Sequence, residues 1–118
     1  MIYNKDKLKF NYKKIPNALE ETVVTLDGSL SYNPGRVFPN DRAFQNSRRS
    51  IVSEFEFKGK KIFIIGNHFN SKLGDRSLYG ALQPFSSGSE TRRIRIAAKI
   101  NQFVRTIEKR SPGAGVVV

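Results

Sequence analysis

Two neighbouring segments in the middle of the chain have the hydrophobic patterns of paired β-strands. Residues Ile51 to Phe57 alternate between two faces, one with Ile51, Ser53, Phe55 and Phe57, the other with Val52, Glu54 and Glu56. From Lys61 to Asn67 follows a mostly apolar run of β-branched and aromatic residues, long enough for a central strand and too short for an independent helix. Lys58-Gly59-Lys60 separates the two as a turn. The pattern therefore predicts an antiparallel hairpin.

A helical pattern begins about twenty residues after the second strand. Ser87-Gly88-Ser89-Glu90 has the spacing of a capping box, which predicts a helix start. Apolar positions then fall on one stripe of the helix, and polar positions fall on the opposite side. The apolar stripe contains Ile96, Ala97, Ile100, Phe103, Val104 and Ile107. The polar side contains Arg95, Lys99, Gln102, Arg105 and Lys109. Ser111-Pro112-Gly113 ends the helix, and the preceding Lys109 and Arg110 suit its negative end. We expect the stripe to pack on the sheet.

The flanking segments carry weaker patterns. Residues 5–14 alternate basic and apolar side chains, which favours an edge strand, and residues 23–26 favour a short strand closed by Asp27-Gly28. Residues 31–50 and 69–88 lack an apolar period and are predicted as long loops. The final Val116-Val117-Val118 predicts a buried strand. This order of elements indicates a layered α/β (α+β) domain spanning residues 1–118.

The amino-acid composition indicates the kind of binding partner more clearly than the reaction that the protein catalyses. The 118 residues suit one domain, which can bury roughly 65% of the surface exposed by the unfolded chain. Lys and Arg number 21 against 10 Asp and Glu, and the net charge of +11 favours a polyanionic partner such as nucleic acid or an anionic membrane surface. The absence of cysteine excludes disulfides and thiolate metal sites. No apolar run approaches the ~20 residues of a membrane span. The first residues do not begin a signal peptide, so any export signal would lie upstream and the localisation stays open.

The only histidine of the chain marks the candidate chemistry. His68 follows the apolar run and stands beside Asn67, Asn70, Ser71 and Lys72. The neighbouring amides, hydroxyl and amine are donors for phosphate oxygens, and an imidazole moves a proton near neutral pH. This combination suits general acid–base catalysis on a phosphodiester. The alternative is that His68 has no catalytic role and belongs to a solvated polar turn at the end of the strand.

Basic residues elsewhere in the sequence can likewise be phosphate-binding residues or ordinary solvated surface residues. Arg48 and Arg49 precede the first hairpin strand, and simple antiparallel register places at least one of them at the sheet end that carries His68. A guanidinium there can hold a phosphate through two hydrogen bonds, or the pair is merely solvated. The helix face with Arg92, Arg93, Arg95, Lys99 and Arg105 can follow a nucleic-acid backbone, or is likewise a solvated surface.

Five ordered segments that include these residues resemble the endonuclease/exonuclease/phosphatase superfamily. They are Asn33-Pro34-Gly35-Arg36, Ala43-Phe44-Gln45-Asn46-Ser47-Arg48-Arg49, Gly66-Asn67-His68-Phe69-Asn70-Ser71-Lys72, Gln83-Pro84 and Ser89-Glu90-Thr91-Arg92. The similarity is greatest to its bacterial secreted nucleases, which are related to deoxyribonuclease I. Order and spacing agree from about Tyr3 to Val118, so the resemblance covers nearly the whole chain.

The resemblance implies a four-layer αββα sandwich with a site for metal-dependent hydrolysis of phosphodiesters at one end of two packed sheets. The implied cofactor is Mg²⁺ or Mn²⁺, and the implied substrate is nucleic acid, with DNA expected rather than RNA. His68 matches the family histidine that pairs with a carboxylate and serves in acid–base or electrostatic catalysis, and Arg48 matches an arginine that contacts substrate phosphate. Further candidate phosphate contacts are Arg36, Arg49, Asn67, Asn70, Ser71 and Lys72.

The metal ligands that the resemblance implies are expected outside residues 1–118. The family's Asn and Glu ligands belong to upstream strands, a Gly-Asp-x-Asn motif is expected after Val118, and an Asp-His pair is expected further downstream. Glu54 and Glu56 lie on the alternate face of a strand, and Asp41 and Asp75 stand alone in predicted loops. We therefore assign no metal ligand here and expect a truncated domain, a middle segment with little or no hydrolytic activity by itself.

Two other functions remain open. A non-catalytic nucleic-acid-binding module is favoured by the basic helix, and its salt-dependent affinity would be insensitive to EDTA and to His68→Ala. A lipid or inositol phosphodiesterase of the same superfamily would prefer those phosphates to DNA. A truncated sandwich would also expose apolar faces and unpaired strand edges, which predicts self-association or strand exchange.

Overall fold

The fold is a mixed α+β arrangement of one sheet and one long helix. The computed structural model describes residues 3–72, 75–81, 83–85 and 87–118. The elements are β1 Lys9–Phe10, β2 Gly35–Arg36, a 3-10 helix Arg42–Phe44, β3 Ile51–Phe57, β4 Lys60–Gly66, α1 Gly88–Arg110 and β5 Gly115–Val117. The five strands form one mixed sheet in the order β1-β3-β4-β5, with β2 pairing to β3 as well.

The predicted hairpin is confirmed as β3 and β4. The two strands pair antiparallel from Ile51 opposite Gly66 to Phe57 opposite Lys60. Lys58 and Gly59 form the connection, both with left-handed backbone at φ 48° and 76°, as a two-residue turn between twisted strands requires. This register brings the residues before β3 and those after β4 to one end of the sheet.

The helix α1 covers one face of this hairpin. Val52, Phe63 and Ile65 form the sheet side of the core, and we call this side the inner face. The helix side is the predicted stripe, buried at Ile96, Ile100, Phe103 and Ile107, whereas Ala97 is exposed and Val104 half-buried. Val24, Leu30 and Val37 from the loops and Phe44 from the 3-10 helix complete the core. After the helix, β5 pairs parallel with β4, so β4, α1 and β5 form a βαβ unit.

The flanking strands are shorter than the sequence predicts. Of residues 5–14 only β1 pairs, with Lys9 opposite Glu56, and residues 23–26 contribute only the isolated bridge from Val24 to Leu30. The predicted loop 31–50 contains β2 and the 3-10 helix. In β2, Gly35 passes Thr22 so closely that a Cβ would stand 1.7 Å from the Thr22 hydroxyl oxygen, so the position requires glycine. Such short strands depend on their partners and have no period of their own.

The predicted C-terminal strand is present as β5, but the prediction that it is buried is wrong. β5 forms the edge of the described sheet, and Val117 and Val118 are 55% and 67% exposed. Val116 alone is half-buried against the core cluster. The described parts of the predicted loop 69–88 contain no strand and no helix before Gly88. Leu73, Gly74, Leu82 and Ser86 of that loop lie outside the described residues.

Candidate functional site

An apolar groove lies on the side of the sheet that faces away from α1, which we call the outer face. Its volume is about 690 Å³, within the usual range for small-ligand pockets. Tyr3 and Phe10 pack on Phe55 with ring centroids 5.1 Å away in each case. The lining residues are Tyr3, Phe10, Tyr12, Ile15, Pro34, Arg48, Arg49, Ile51, Ser53, Phe55, Gly66, Asn67 and His68.

One end of this outer groove is polar and basic. Arg48, Arg49, Asn67 and His68 line it, because the pairing of Ile51 with Gly66 brings the start of β3 beside the end of β4. Arg48, Arg49 and His68 are exposed, and Asn67 is half-buried. The groove-lining residues, all of them described, include no Asp or Glu. We call these four residues the polar end, and its chemistry suits an anion.

Two members of the polar end are held by hydrogen bonds. The Ser50 hydroxyl donates to Asn67 Oδ1 at 2.6 Å, and Asn67 Nδ2 donates to the Ile65 carbonyl at 3.3 Å. Arg49 Nε donates to the Pro39 carbonyl at 2.8 Å. Sequence reasoning missed Ser50. The signal was present in the register, since Ser50 precedes Ile51 as Asn67 follows Gly66, which makes them the next opposed pair.

Arg36 is placed beside the start of β3 but outside the groove lining. It pairs with Ile51 through β2 and is half-buried. Its backbone N–H donates to the Thr22 hydroxyl at 3.1 Å, and its side-chain Nε is buried without a partner among the described residues. The structure therefore brings Arg36 near the polar end through its backbone pairing.

The remaining candidates lie towards the start of α1. Asn70 accepts from Arg93 through its backbone carbonyl at 3.4 Å, and its side-chain oxygen is buried without a partner in the described part of the chain. Ser71 and Lys72 are exposed, and Lys72 lines a separate depression that includes Asp75, Glu90 and Arg93. The predicted cluster thus divides, with Asn67 and His68 on the outer groove and Asn70 and Lys72 near the helix.

The start of α1 is held by a long-range cap. Ser87 makes no side-chain capping hydrogen bond, contrary to the predicted capping box. Asp75 accepts instead from the Ser89 backbone N–H at 2.9 Å and from the Ser89 hydroxyl. The Ser89 hydroxyl, followed by its N–H, lowers the pKa of Asp75. Arg93 donates to the Ser89 hydroxyl at 2.7 Å, so this network also anchors the segment that follows His68.

The described carboxylates do not form a site that fits a divalent metal ion. No group of three or more His, Asp or Glu residues converges anywhere in residues 3–72, 75–81, 83–85 and 87–118. Asp41 is not isolated, because Lys99 forms an ion pair with it at 2.8 Å, and the Lys99 hydrogen bond lowers the Asp41 pKa. Glu54 is buried on the inner face and accepts from the Leu30 N–H at 2.8 Å. These carboxylates therefore serve the fold.

Comparison of the chain with protein-family models, with curated proteins and with solved structures gave no match. Among the described helices, none is long and apolar enough to cross a membrane.

Proposed function

We propose that this chain carries the histidine and phosphate-binding part of a metal-dependent phosphodiesterase of the endonuclease/exonuclease/phosphatase superfamily, which hydrolyses nucleic acid. The observation that carries the proposal is the convergence of Arg48, Asn67 and His68 at one end of a groove whose lining has no carboxylate. A guanidinium and an amide donate to phosphate oxygens, and an imidazole exchanges protons near neutral pH. The net charge of +11 attracts the same polyanion.

The residues present do not fit the Mg²⁺ or Mn²⁺ ion that such hydrolysis uses, because no described carboxylate faces the polar end. We therefore propose that the chain alone binds substrate without cleaving it. The test is nicking of supercoiled plasmid with Mg²⁺ or Mn²⁺, for which we expect no product. Nicking that appears with metal and disappears in His68→Ala would show that the isolated chain is itself an active enzyme.

Binding is tested separately from cleavage. We expect a fluorescent oligonucleotide to bind in EDTA, with an affinity that falls steeply as salt rises, because Lys and Arg release counterions from the phosphates. Arg48→Ala should weaken binding more than the matched change Arg105→Ala on the exposed face of α1. If Arg48→Ala and the unmodified chain had equal affinity, the proposal that the polar end binds the oligonucleotide would be wrong. Tighter binding of an inositol phosphate than of DNA would favour the lipid or inositol phosphodiesterase.

A second candidate, a non-catalytic nucleic-acid-binding module, is favoured by the polar side of α1. Arg105, Lys109 and Arg110 line a shallow depression of about 660 Å³ on this helix, and all three are exposed. Binding through this surface predicts the opposite ranking, with Arg105→Ala the weaker binder and His68→Ala unchanged. The same anisotropy titration therefore separates the two proposals.

We also propose the four-layer sandwich for this chain, with the sheet and α1 as two of its layers. The support is that β4 has apolar residues on both faces: Phe63 and Ile65 are buried against α1, whereas Ile62 and Ile64 pair with Phe55 and Ser53 of the outer face. A strand with two apolar faces is typical of a sheet covered on both sides. The outer face and the edge of β5, which no described strand pairs with, also favour self-association of this chain.

A further inference from the structure

The contact between Ser50 and Asn67 is built into the end of the hairpin. Ser50 is 1% exposed, and its backbone carbonyl accepts from the Val37 N–H at 3.1 Å. Its hydroxyl reaches across the strands to Asn67 Oδ1 at 2.6 Å. Because Ser50 is held by its backbone and enclosed, it presents the hydroxyl at a fixed place opposite Asn67.

The Ile65 carbonyl and the Ser50 hydroxyl together fix the orientation of the Asn67 amide. The carbonyl can only accept, so Nδ2 donates to it at 3.3 Å, and the Ser50 hydroxyl on the other branch donates to Oδ1. Nδ2 carries two N–H groups, and the Ile65 carbonyl accepts from one of them. Among the described residues, the Ile65 carbonyl is the acceptor observed for Nδ2, which leaves the second N–H for a ligand. Asn67 is half-buried beside His68 in the lining of the polar end.

We infer that Ser50 is a positioning residue, which orients Asn67 so that its second amide N–H donates to a phosphate oxygen of the bound nucleic acid. This inference rests on the proposed function and adds a specific donor and its support. A pre-oriented donor loses less conformational freedom on binding than a free one. The ligand is a phosphodiester anion, since an N–H offered beside arginine and histidine suits an acceptor that carries negative charge.

The test is a double-mutant cycle read by fluorescence anisotropy with an oligothymidylate 10-mer in EDTA at low salt. We expect Ser50→Ala to weaken binding by about 3- to 10-fold, the range for one hydrogen bond. Asn67→Ala should weaken it at least as much, and the double variant no more than Asn67→Ala alone, because Ser50 acts through Asn67. Asn67→Asp keeps the acceptor for Ser50 but lacks the donor, so it should also lose affinity.

Ser29→Ala is the control for stability. Ser29 is a buried serine whose hydroxyl donates to Asp27 at 2.9 Å, away from the outer groove, so its loss should lower the melting temperature but leave oligonucleotide affinity unchanged. Unchanged affinity in Ser50→Ala, or additive losses in the cycle, would overturn the role of Ser50 while leaving the proposed function in place. No binding by the unmodified chain would overturn the proposed function and this inference together.

Discussion

At the scale of single residues, Asn33 stabilises β3 through its side chain. It is fully buried; its amide oxygen accepts from the Glu54 N–H at 2.9 Å, and its nitrogen donates to the carbonyls of Glu54 and Asn11 at 2.8 and 2.6 Å. Asn33→Ala leaves these buried groups unpaired, so we expect the free energy of unfolding to fall by about 3 kcal/mol in urea denaturation. Asn40→Ala removes one exposed bond to Leu19 and should change it by less than about 1 kcal/mol. Equal effects would contradict this account.

Asp27 gives a residue-scale prediction for pH. Hydrogen bonds from Thr25, and then from Ser29, lower its pKa from 3.8 to about 2. Because the folded pKa lies below the unfolded value, the stabilisation is fully present above about pH 4 and is lost as the pH falls through 2. Asp27→Asn should therefore melt below the unmodified chain at pH 6, and the difference should narrow between pH 4 and pH 2. A difference that is constant over this range would refute the assignment.

At the scale of elements, replacement by alanine should have different effects at Gly59, in the turn between β3 and β4, and at Gly88, at the start of α1. A Cβ at Gly59 or Gly88 meets no atom within 4 Å, but only Gly59 has left-handed backbone, at φ 76°. Gly59→Ala should therefore destabilise the chain by about 1 kcal/mol. Gly88→Ala, at the start of α1, should be neutral or stabilising by about 0.5 kcal/mol. Chemical denaturation measures both free energies of unfolding, and a Gly59→Ala variant as stable as the Gly88→Ala variant would count against the turn geometry.

The start of α1 gives a second prediction at this scale. Asp75 accepts from Ser89 in the first turn, whereas Ser87 makes no side-chain cap. Asp75→Ala should lower the melting temperature followed by circular dichroism at 222 nm, because an N–H at the helix start loses its acceptor. Ser87→Ala should leave the temperature nearly unchanged. The reverse ranking would restore the local capping box that the sequence predicts.

At the scale of the whole molecule, exposed apolar surface predicts self-association. The radius of gyration is 16.9 Å, whereas a compact chain of this length is expected to have a radius of about 13.5 Å. The chain is therefore less compact than a typical domain of its size. β5 has a free edge in the described sheet, and its Val117 is 55% exposed. We expect dimers or larger species in light scattering. Val117→Lys should reduce them, because a charged side chain on an edge strand disfavours pairing with another strand.

The control Val23→Lys, at a residue 51% exposed, should not reduce them. A monodisperse monomer with a cooperative melt would refute the prediction.

The parts of the fold predicted from sequence are those with a period of their own. β3, β4 and α1 carry enough alternation or helical repeat to be recognised locally, and their boundaries agree with the structure within about one or two residues. β1 and β2 contain two residues each and exist through pairing with β3. No local pattern specifies such strands, because their hydrogen-bond partners lie far away in sequence.

The candidate site divides in the same way. The sequence by itself determined the hairpin, the amphipathic helix and the basic charge, and from the hairpin it predicted that at least one of Arg48 and Arg49 lies at the sheet end of His68, because periodicity and antiparallel register follow from neighbouring residues. Only the tertiary structure decided that Asn67 is held by Ser50, that Asn70 and Lys72 turn towards α1, and that Asp75 caps this helix. These contacts join residues 14 to 23 positions apart, and buried polar groups find such partners only when the chain packs.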